Sequence, residues 1–391
     1  MNKNMELDEL KSLVRQGKFG AITIDTSVFD AQGLRLESGL LKQLEQFRDS
    51  STKVIISEIV KEEVLSHLTE KTKNAQRELE KYLKQAKDYW QLENREIENI
   101  KKLVFDGRDA QEITLDRFSK FIDATSLEII EAQNYLIVSD LIQKYFQAKP
   151  PFSESGKKKS EFPDAIALMS LEAWAKENQT KIIVVTSDND WANFCKDSER
   201  LCSTNDFAGA LGLFQLQDAE DICRYLSERY KQGYLDDVKE AVINALEYHI
   251  SDIDIYPEVH SSFEYEEEEK YINVNRFDFR VLETPNLIFR PVNYDNGLIV
   301  ESKLIVDVNI ECSFSFSVYD SIDKDYIGMG GNSVNTQAYL EIEVLITFVG
   351  DLDKIGAEVE VDDVEVETKS PISIDFGNIA PDWWVDGDYD Y

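Results

Sequence analysis

The sequence is poor in positive charge. Lys and Arg number 42 against 76 Asp and Glu, a formal net charge of −34 over 391 residues. Such an excess excludes a protein that holds nucleic acid by bulk electrostatics. It leaves room for an enzyme that handles nucleic acid through metal ions and a local basic strip. Cysteine is scarce too: Cys195, Cys202, Cys223 and Cys312 match no metal-ligand or redox spacing and read as ordinary thiols. No apolar run approaches the length of a membrane-spanning helix. The opening stretch MNKNMELDELKSLVRQ has no apolar core of signal-peptide type, so a cytoplasmic protein is expected. Neither GxGxxG nor GxxxxGK followed by Ser or Thr occurs, which disfavours the nucleotide-cofactor folds.

What is present is enough apolar material for packed interiors, 42% hydrophobic and 11% aromatic, in a chain too long for one comfortable core. The charge divides it. Residues 1–250 hold 44 acids and 34 bases, a net of −10, whereas residues 251–391 hold 32 acids and 8 bases, a net of −24. A boundary near residue 250 follows, with a different task on each side.

Residues 6–18 read as a first helix. AITIDTSVFD (21–30) begins as a β-branched strand that ends in an acid followed by Thr26 and Ser27. KVIIS (53–57) is a second buried strand, and EIVKEEVLSHL (58–68) carries an apolar helical stripe. From Leu68 to about Phe146 the pattern is helical with no convincing strand, a helical insertion over about residues 69–148. A loop, KPPFSESGKKKSEFP (149–163), leads into the amphipathic helix DAIALMSLEAWAKEN (164–178). KIIVVTSDND (181–190) is the best parallel-strand candidate, and ERLCST a further short strand. The expectation is an α/β/α sandwich with a parallel sheet over residues 1–215, whose ligands bind beyond the carboxyl ends of the strands. Residues 216–249 read as a helical connector. From residue 250 the pattern turns to period two, a separate, acidic and mostly antiparallel β domain, expected as a sandwich or open barrel. The tail PDWWVDGDYDY is acidic and aromatic, suited to packing at an edge or meeting a partner.

Asp25, Glu63, Asp164, Asp188 and Asp190 stand where such a sheet gathers strand ends and helix starts. Carboxylates crowded together repel and raise one another's pKa values unless a cation offsets them. Hard divalent ions take such oxygen ligands, and two ions can activate water and stabilise a leaving oxygen. Thr26 and Ser187 could add hydroxyls or fix carboxylate rotamers. The bland reading is that one residue in five is acidic, so that single acids are solvated or cap helices, Asp164 above all. Two rivals of the same fold class lack their signatures. A haloacid-dehalogenase phosphatase needs a second acid two residues past the first, where Ser27 stands, and a receiver domain needs adjacent acids after its first strand.

ITIDTSVF (22–29), ISEIVKEEVLSHL (56–68), EFPDAIALMSLEAWA (161–175) and VVTSDNDW (184–191) resemble the successive acidic motifs of PIN-domain nucleases. They are most similar to long bacterial members with a helical insertion between the second and third motifs. The resemblance covers residues 20–215 and implies phosphodiester hydrolysis, usually of RNA, with Mg²⁺ or Mn²⁺. Through it, Asp25, Glu63, Asp164 and Asp188 are the expected catalytic and metal-binding acids, with Asp190 as an auxiliary ligand. Pro163 departs from the glycine that many members carry before the third acid. By analogy with the family, toxin-like, RNA-processing or phage-defence roles are expected.

An acidic site repels phosphate, so positive charge is needed nearby. Lys157, Lys158 and Lys159 lead straight to Asp164 and are candidate backbone contacts. Lys71, Lys73, Arg77, Lys81, Lys84 and Lys87 share a helix with interspersed glutamates, which favours simple packing over a wall of the cleft that admits only a single strand or loop. His67, one turn past Glu63, is a candidate auxiliary group. Trp174 and Trp191 read as packing, with Trp191 near enough to the acids to stack on a base. RNA or single-stranded DNA is the expected substrate. The acidic C-terminal region points to a basic protein partner, a brake on the active site, or a homo-oligomer contact, and no membrane role is expected. The alternative from another class is a catalytically silent scaffold or sensor whose acidic region binds a basic partner.

Overall fold

The computed structural model describes residues 7–152, 161–215, 217–282, 287–295, 297–322, 324–350, 352, 359–367 and 371–384. The chain forms two compact units, Met1–Phe214 and Gln215–Tyr391.

The first unit begins with helix α1 (Leu7–Arg15) and strand β1 (Phe19–Ile24). Short helices α2 (Thr26–Ala31) and α3 (Gly39–Lys42) lead to β2 (Lys53–Ser57). Then comes the long α4 (Glu58–Trp90), followed by α5 (Asn94–Phe105) and α6 (Ala110–Thr125). Strand β3 (Glu128–Ile130), α7 (Ala132–Tyr135), α8 (Val138–Gln147) and α9 (Phe162–Glu177) precede β4 (Lys181–Val185). Helix α10 (Asn189–Asp197), β5 (Leu201–Thr204) and α11 (Phe207–Gly212) complete it.

The sheet order is β3-β2-β1-β4-β5, with every pairing parallel. Its strands are short and rich in Ile and Val because helices cover both faces. Ile22, Ile24, Ile55, Ile56 and residues Ile182 to Val185 are fully buried. The chain runs outward from β1 to β2 and β3, then returns to the other side of β1 as β4. That reversal leaves a crevice beyond the carboxyl ends of β1 and β4.

Strand β3 corrects the expectation of an unbroken helical insertion: Ile55, Ile56 and Ser57 of β2 pair with Glu128, Ile129 and Ile130. Three residues are too few to register a period of two, and only the neighbouring strand makes them a strand. Helix α4 starts under a buried cap, the Ser57 hydroxyl accepting from the Val60 N–H at 3.2 Å. Its first turns bury Val60, Val64 and Leu68 and pack on α6 and α9. The lysines 157–159 lie outside the described residues.

The second unit comprises α12 (Gln217–Lys231), α13 (Asp236–His249) and strands β6 (Ile255–His260), β7 (Glu264–Arg280), β8 (Arg290–Tyr294), β9 (Leu298–Asp320), β10 (Asp325–Gly350), β11 (Val359–Glu367) and β12 (Ile372–Asn378). An antiparallel sheet runs β11-β10-β9-β7, with β8 also on β9. Among the described residues it is open, with β11 and β7 as its outer strands, and closes into no barrel. The layer against it comes from α12, α13 and a two-stranded parallel ladder of β6 and β12. Residues 217–249, read as a connector, therefore belong to this core, with Val238, Val242 and Leu246 fully buried.

Alternation along β9 is regular. Leu304, Val306, Val308, Ile310, Cys312, Phe314 and Phe316 face the core, while Lys303, Asp307, Glu311, Ser313 and Ser315 point the other way. A buried ion pair joins Arg290 to Glu301 across β8 and β9. The tail packs at the β10 edge, the Trp383 indole donating to the Met329 carbonyl at 2.6 Å. The four cysteines are free thiols.

Ser227 of α12 ties helix to sheet. Its hydroxyl accepts from the main-chain N–H groups of Ile288 at 3.2 Å and Phe289 at 3.3 Å, and donates to the Cys223 carbonyl. Ser227→Ala leaves two buried donors unmet, so the second unit should lose about 2–4 kcal/mol. Urea unfolding followed by hydrogen exchange at the Ile288 and Phe289 amides measures this, and unchanged protection there would contradict the assignment.

Candidate active site

The reversal of sheet order brings two strand ends together. Asp25 follows β1 and caps α2, while Asp188 follows β4 and caps α10. The Asp25 main-chain N–H donates to the Val185 carbonyl at 3.0 Å, so the two strand ends are locked in register.

Asp25 is 5% exposed. Its carboxylate accepts from the Thr26 N–H at 2.7 Å, the Ser27 hydroxyl at 2.7 Å and the Thr186 hydroxyl at 3.0 Å. Burial nevertheless pushes its pKa up against these three bonds, and Asp188 adds to the push. The Thr26 hydroxyl donates to Glu63 Oε2 at 2.6 Å, binding α4 to the end of β1. Thr186 also receives the Asp188 N–H at 2.9 Å. Asp188 Oδ1 in turn accepts from the N–H groups of Asp190 at 2.6 Å and Trp191 at 3.1 Å. The Trp191 indole donates to Asp164 Oδ1 at 2.8 Å. One chain of contacts thus runs from Glu63 through Thr26, Asp25, Thr186, Asp188 and Trp191 to Asp164.

Asp164 reports the crowding most directly. Loss of hydration raises its pKa to about 6 against the Trp191 bond, and Asp188, Asp25 and Glu63 all raise it further. Four carboxylates from four segments therefore share one electrostatic neighbourhood. Asp190 is exposed and is pushed up by partial burial, Asp188 and Glu161. It stands beside Asp188 rather than with the other three.

Several sequence expectations need correction. Trp191 is 1% exposed, packed as expected, so only the added idea of stacking on a base falls, and its indole is the donor that orients Asp164. His67 contacts Asp30, at 3.0 Å, and none of the four acids, because it sits one turn further along α4. The Ser187 side chain is exposed, and its link to the site is its main-chain N–H on the Ser27 hydroxyl at 3.3 Å. Ser27 and Thr186 were missed as holders of Asp25. The signal for them was a hydroxyl two residues from each acid, in DTS and TSD, which suits local side-chain bonding. Glu161, buried at the start of α9, was also missed.

Among the described residues, no group of three or more His, Cys, Asp or Glu is gathered closely enough to hold a metal ion as it stands. The donor chemistry nonetheless suits a hard divalent cation, since every acid offers oxygen only. Among the described residues, Glu63, Asp164 and Asp188 each have one oxygen engaged by a protein donor and the other without one.

Residues 22–191 match the PIN domain family. The match opens within β1, ends at Trp191 and so contains all the acids described above. It covers less than half of the chain, and the C-terminal part is unassigned by it. The parallel sheet and its strand-end acids are consistent with the nuclease-like fold of PIN domains. No curated protein and no solved structure matches the chain.

A carboxyl with a raised pKa in the folded state opposes folding once ionised. The Asp164 penalty is absent below the ordinary carboxyl range, grows as pH rises from about 4 and is complete above about 6. Asp164→Asn keeps an acceptor for Trp191 and removes the charge. With EDTA present, this variant should be more stable than wild type at pH 7.5 and indistinguishable from it near pH 4. The gap has an upper bound of about 3 kcal/mol, which screening at a part-exposed group reduces to roughly 1–2 kcal/mol. Melting across pH 4–8 measures it, and an equal or lower midpoint for the variant at pH 7.5 would remove the repulsion argument.

Proposed function

We propose that the first unit is a divalent-metal-dependent nuclease that hydrolyses phosphodiester bonds in single-stranded or looped RNA. What carries this reading is the unbroken contact chain that holds Asp25, Glu63, Asp164 and Asp188 together at the switch point of a parallel sheet. Structural acids scattered on a surface need no such shared frame. Asp25, Glu63, Asp164 and Asp188 would hold Mg²⁺ or Mn²⁺, with Asp190 beside them as the auxiliary acid. Bound there, such ions supply water activation and neutralisation of charge on the scissile phosphodiester.

The chain's own part is positional. Ser27, Thr186 and the Thr26 N–H hold the Asp25 carboxylate in one rotamer. Thr26 and Trp191 do the same for Glu63 and Asp164, leaving Glu63 Oε1 and Asp164 Oδ2 for a ligand. In the ion-free state, Asp164 can carry a proton on Oδ2 near pH 6, which relieves repulsion until a cation replaces it. Endonucleolytic action in a toxin-like or phage-defence setting belongs to the same proposal. So does contact between Lys157, Lys158 and Lys159 and substrate phosphates.

A second reading, a silent scaffold whose acidic C-terminal region binds a basic protein, draws on one observation. Among the described residues, no three of the acids are gathered closely enough to hold a metal ion. One assay separates the two readings. Labelled single-stranded RNA and DNA are incubated with full-length protein and Mn²⁺, Mg²⁺ or EDTA, alongside Asp25→Asn and Asp188→Asn. The nuclease reading expects metal-dependent cleavage, RNA ahead of DNA, reduced by at least about 100-fold in each variant. Cleavage that survives both substitutions would overturn the role of these acids, and no cleavage under any metal, with tight capture of a cationic protein, would overturn the nuclease reading in favour of the scaffold.

A further inference from the structure

Helix α4 does two things that its sequence keeps apart. Its second turn presents Glu63 to the site, and the helix then continues without interruption to Trp90. Glu63, Glu70, Arg77 and Lys84 are spaced by seven, which returns a helix to nearly the same face with a drift of about 20° each time. Lys73 and Lys81 flank Arg77 by four residues on either side, so Lys73, Arg77, Lys81 and Lys84 form one ridge. All four side chains are exposed.

The ridge is not a neutralised network. Of the two acids within the span of the ridge, Glu80 is drawn off by Lys101 of α5 at 3.4 Å, and Glu78 makes no ion pair among the described residues. Lys87 is engaged with Asn94, and among the described residues Arg77 hydrogen-bonds Asn74 of its own helix and no carboxylate. Lys73, Lys81 and Lys84 have no carboxylate partner among the described residues. Like charges four residues apart on a helix oppose its formation, so this arrangement does not serve folding. Residues 71–87 hold six cations against Glu78 and Glu80, a local net of +4 in a chain of −34. With a Debye length of about 8–10 Å, the local charge governs what the ridge attracts at contact distance.

We propose that Lys73, Arg77, Lys81 and Lys84 form a track for the sugar–phosphate backbone of a single-stranded nucleic acid, led by α4 toward the face that bears Glu63. The ridge binds phosphates and reads no bases. From Glu63 to Lys84 the helix rises roughly 31 Å, so only a strand several nucleotides long engages both ends. The inference rests on the nuclease reading for the direction in which the strand is led, and its binding step is measured without catalysis.

The experiment uses the full chain in EDTA with fluorescent RNA and DNA strands of about 20 nucleotides and a dinucleotide, titrated across salt concentrations. The variant Lys73→Gln/Arg77→Gln/Lys81→Gln/Lys84→Gln is compared with a control of equal charge change at Lys102, Lys120, Lys231 and Lys239. The stripe variant should bind the long strand at least about tenfold more weakly at low salt, with the slope of log K against log salt shallower by about 3. The control should bind as wild type does, and dinucleotide binding should be indifferent to the stripe. Equal losses in variant and control, or an unchanged slope, would overturn the track. Metal-dependent cleavage that persists with an unchanged slope sinks the track and spares the nuclease. A stripe-dependent slope without cleavage under any metal keeps the track and sinks the nuclease. Parallel RNA and DNA titrations report which sugar the track accepts.

Discussion

Carboxylates drawn out of water beside one another repel, and the first unit is organised around meeting that repulsion with neutral donors. Asp25 is nearly inaccessible and takes three hydrogen bonds, yet burial still holds its proton affinity above the ordinary range. Asp164 is raised to about 6 by burial and by three neighbouring acids, with the Trp191 indole pulling the other way. Among the described residues, no lysine or arginine enters the contact chain that joins these acids. A fixed cation there would settle the charge permanently, whereas hydroxyls, amides and an indole orient the carboxylates and leave the charge unanswered. Under the nuclease proposal, that condition is what suits the group to a hard cation.

Sheet topology supplies the place. A chain that leaves β1 in one direction and returns on its other side must open a crevice where the two directions part. The β1 and β4 ends lie there, tied by the bond from Asp25 to Val185. Helix α4 brings in Glu63 from the β2 side and α9 brings in Asp164, so four segments distant in sequence meet. The same helix then leaves the sheet and carries a ridge of positive charge away from the acids of the site. A rigid helix keeps those opposite charges at a set separation, which a flexible loop could not do.

The second unit obeys a different rule. Long antiparallel strands alternate, one face filled with Leu, Val, Ile and Phe and the other lined with Ser, Asn, Asp and Glu. Much of the charge of −24 carried by residues 251–391 falls on exposed positions such as Glu264 to Glu269 of β7, an outer strand. Acids on a sheet edge discourage pairing with another strand. Two of the buried charges, Arg290 and Glu301, face each other in register and neutralise one another.

Much of this was legible in the sequence because it depends on local periodicity. The buried parallel strands, the acid at each strand end, the change to period two and the uneven charge are all patterns within short windows. The four acids could be named, since each stands beside an apolar element that dictates its position. Other features arise only from contacts across long sequence separations. Three residues became β3 because β2 was beside them, and residues 217–249 became core because a sheet needed cover. Trp191 became a donor to Asp164 across 27 residues, and His67 was turned to Asp30. Local sequence determined which elements form and which groups stand at their ends. Tertiary structure alone decided which of those groups meet, because burial and hydrogen-bond direction depend on neighbours that no window of sequence contains.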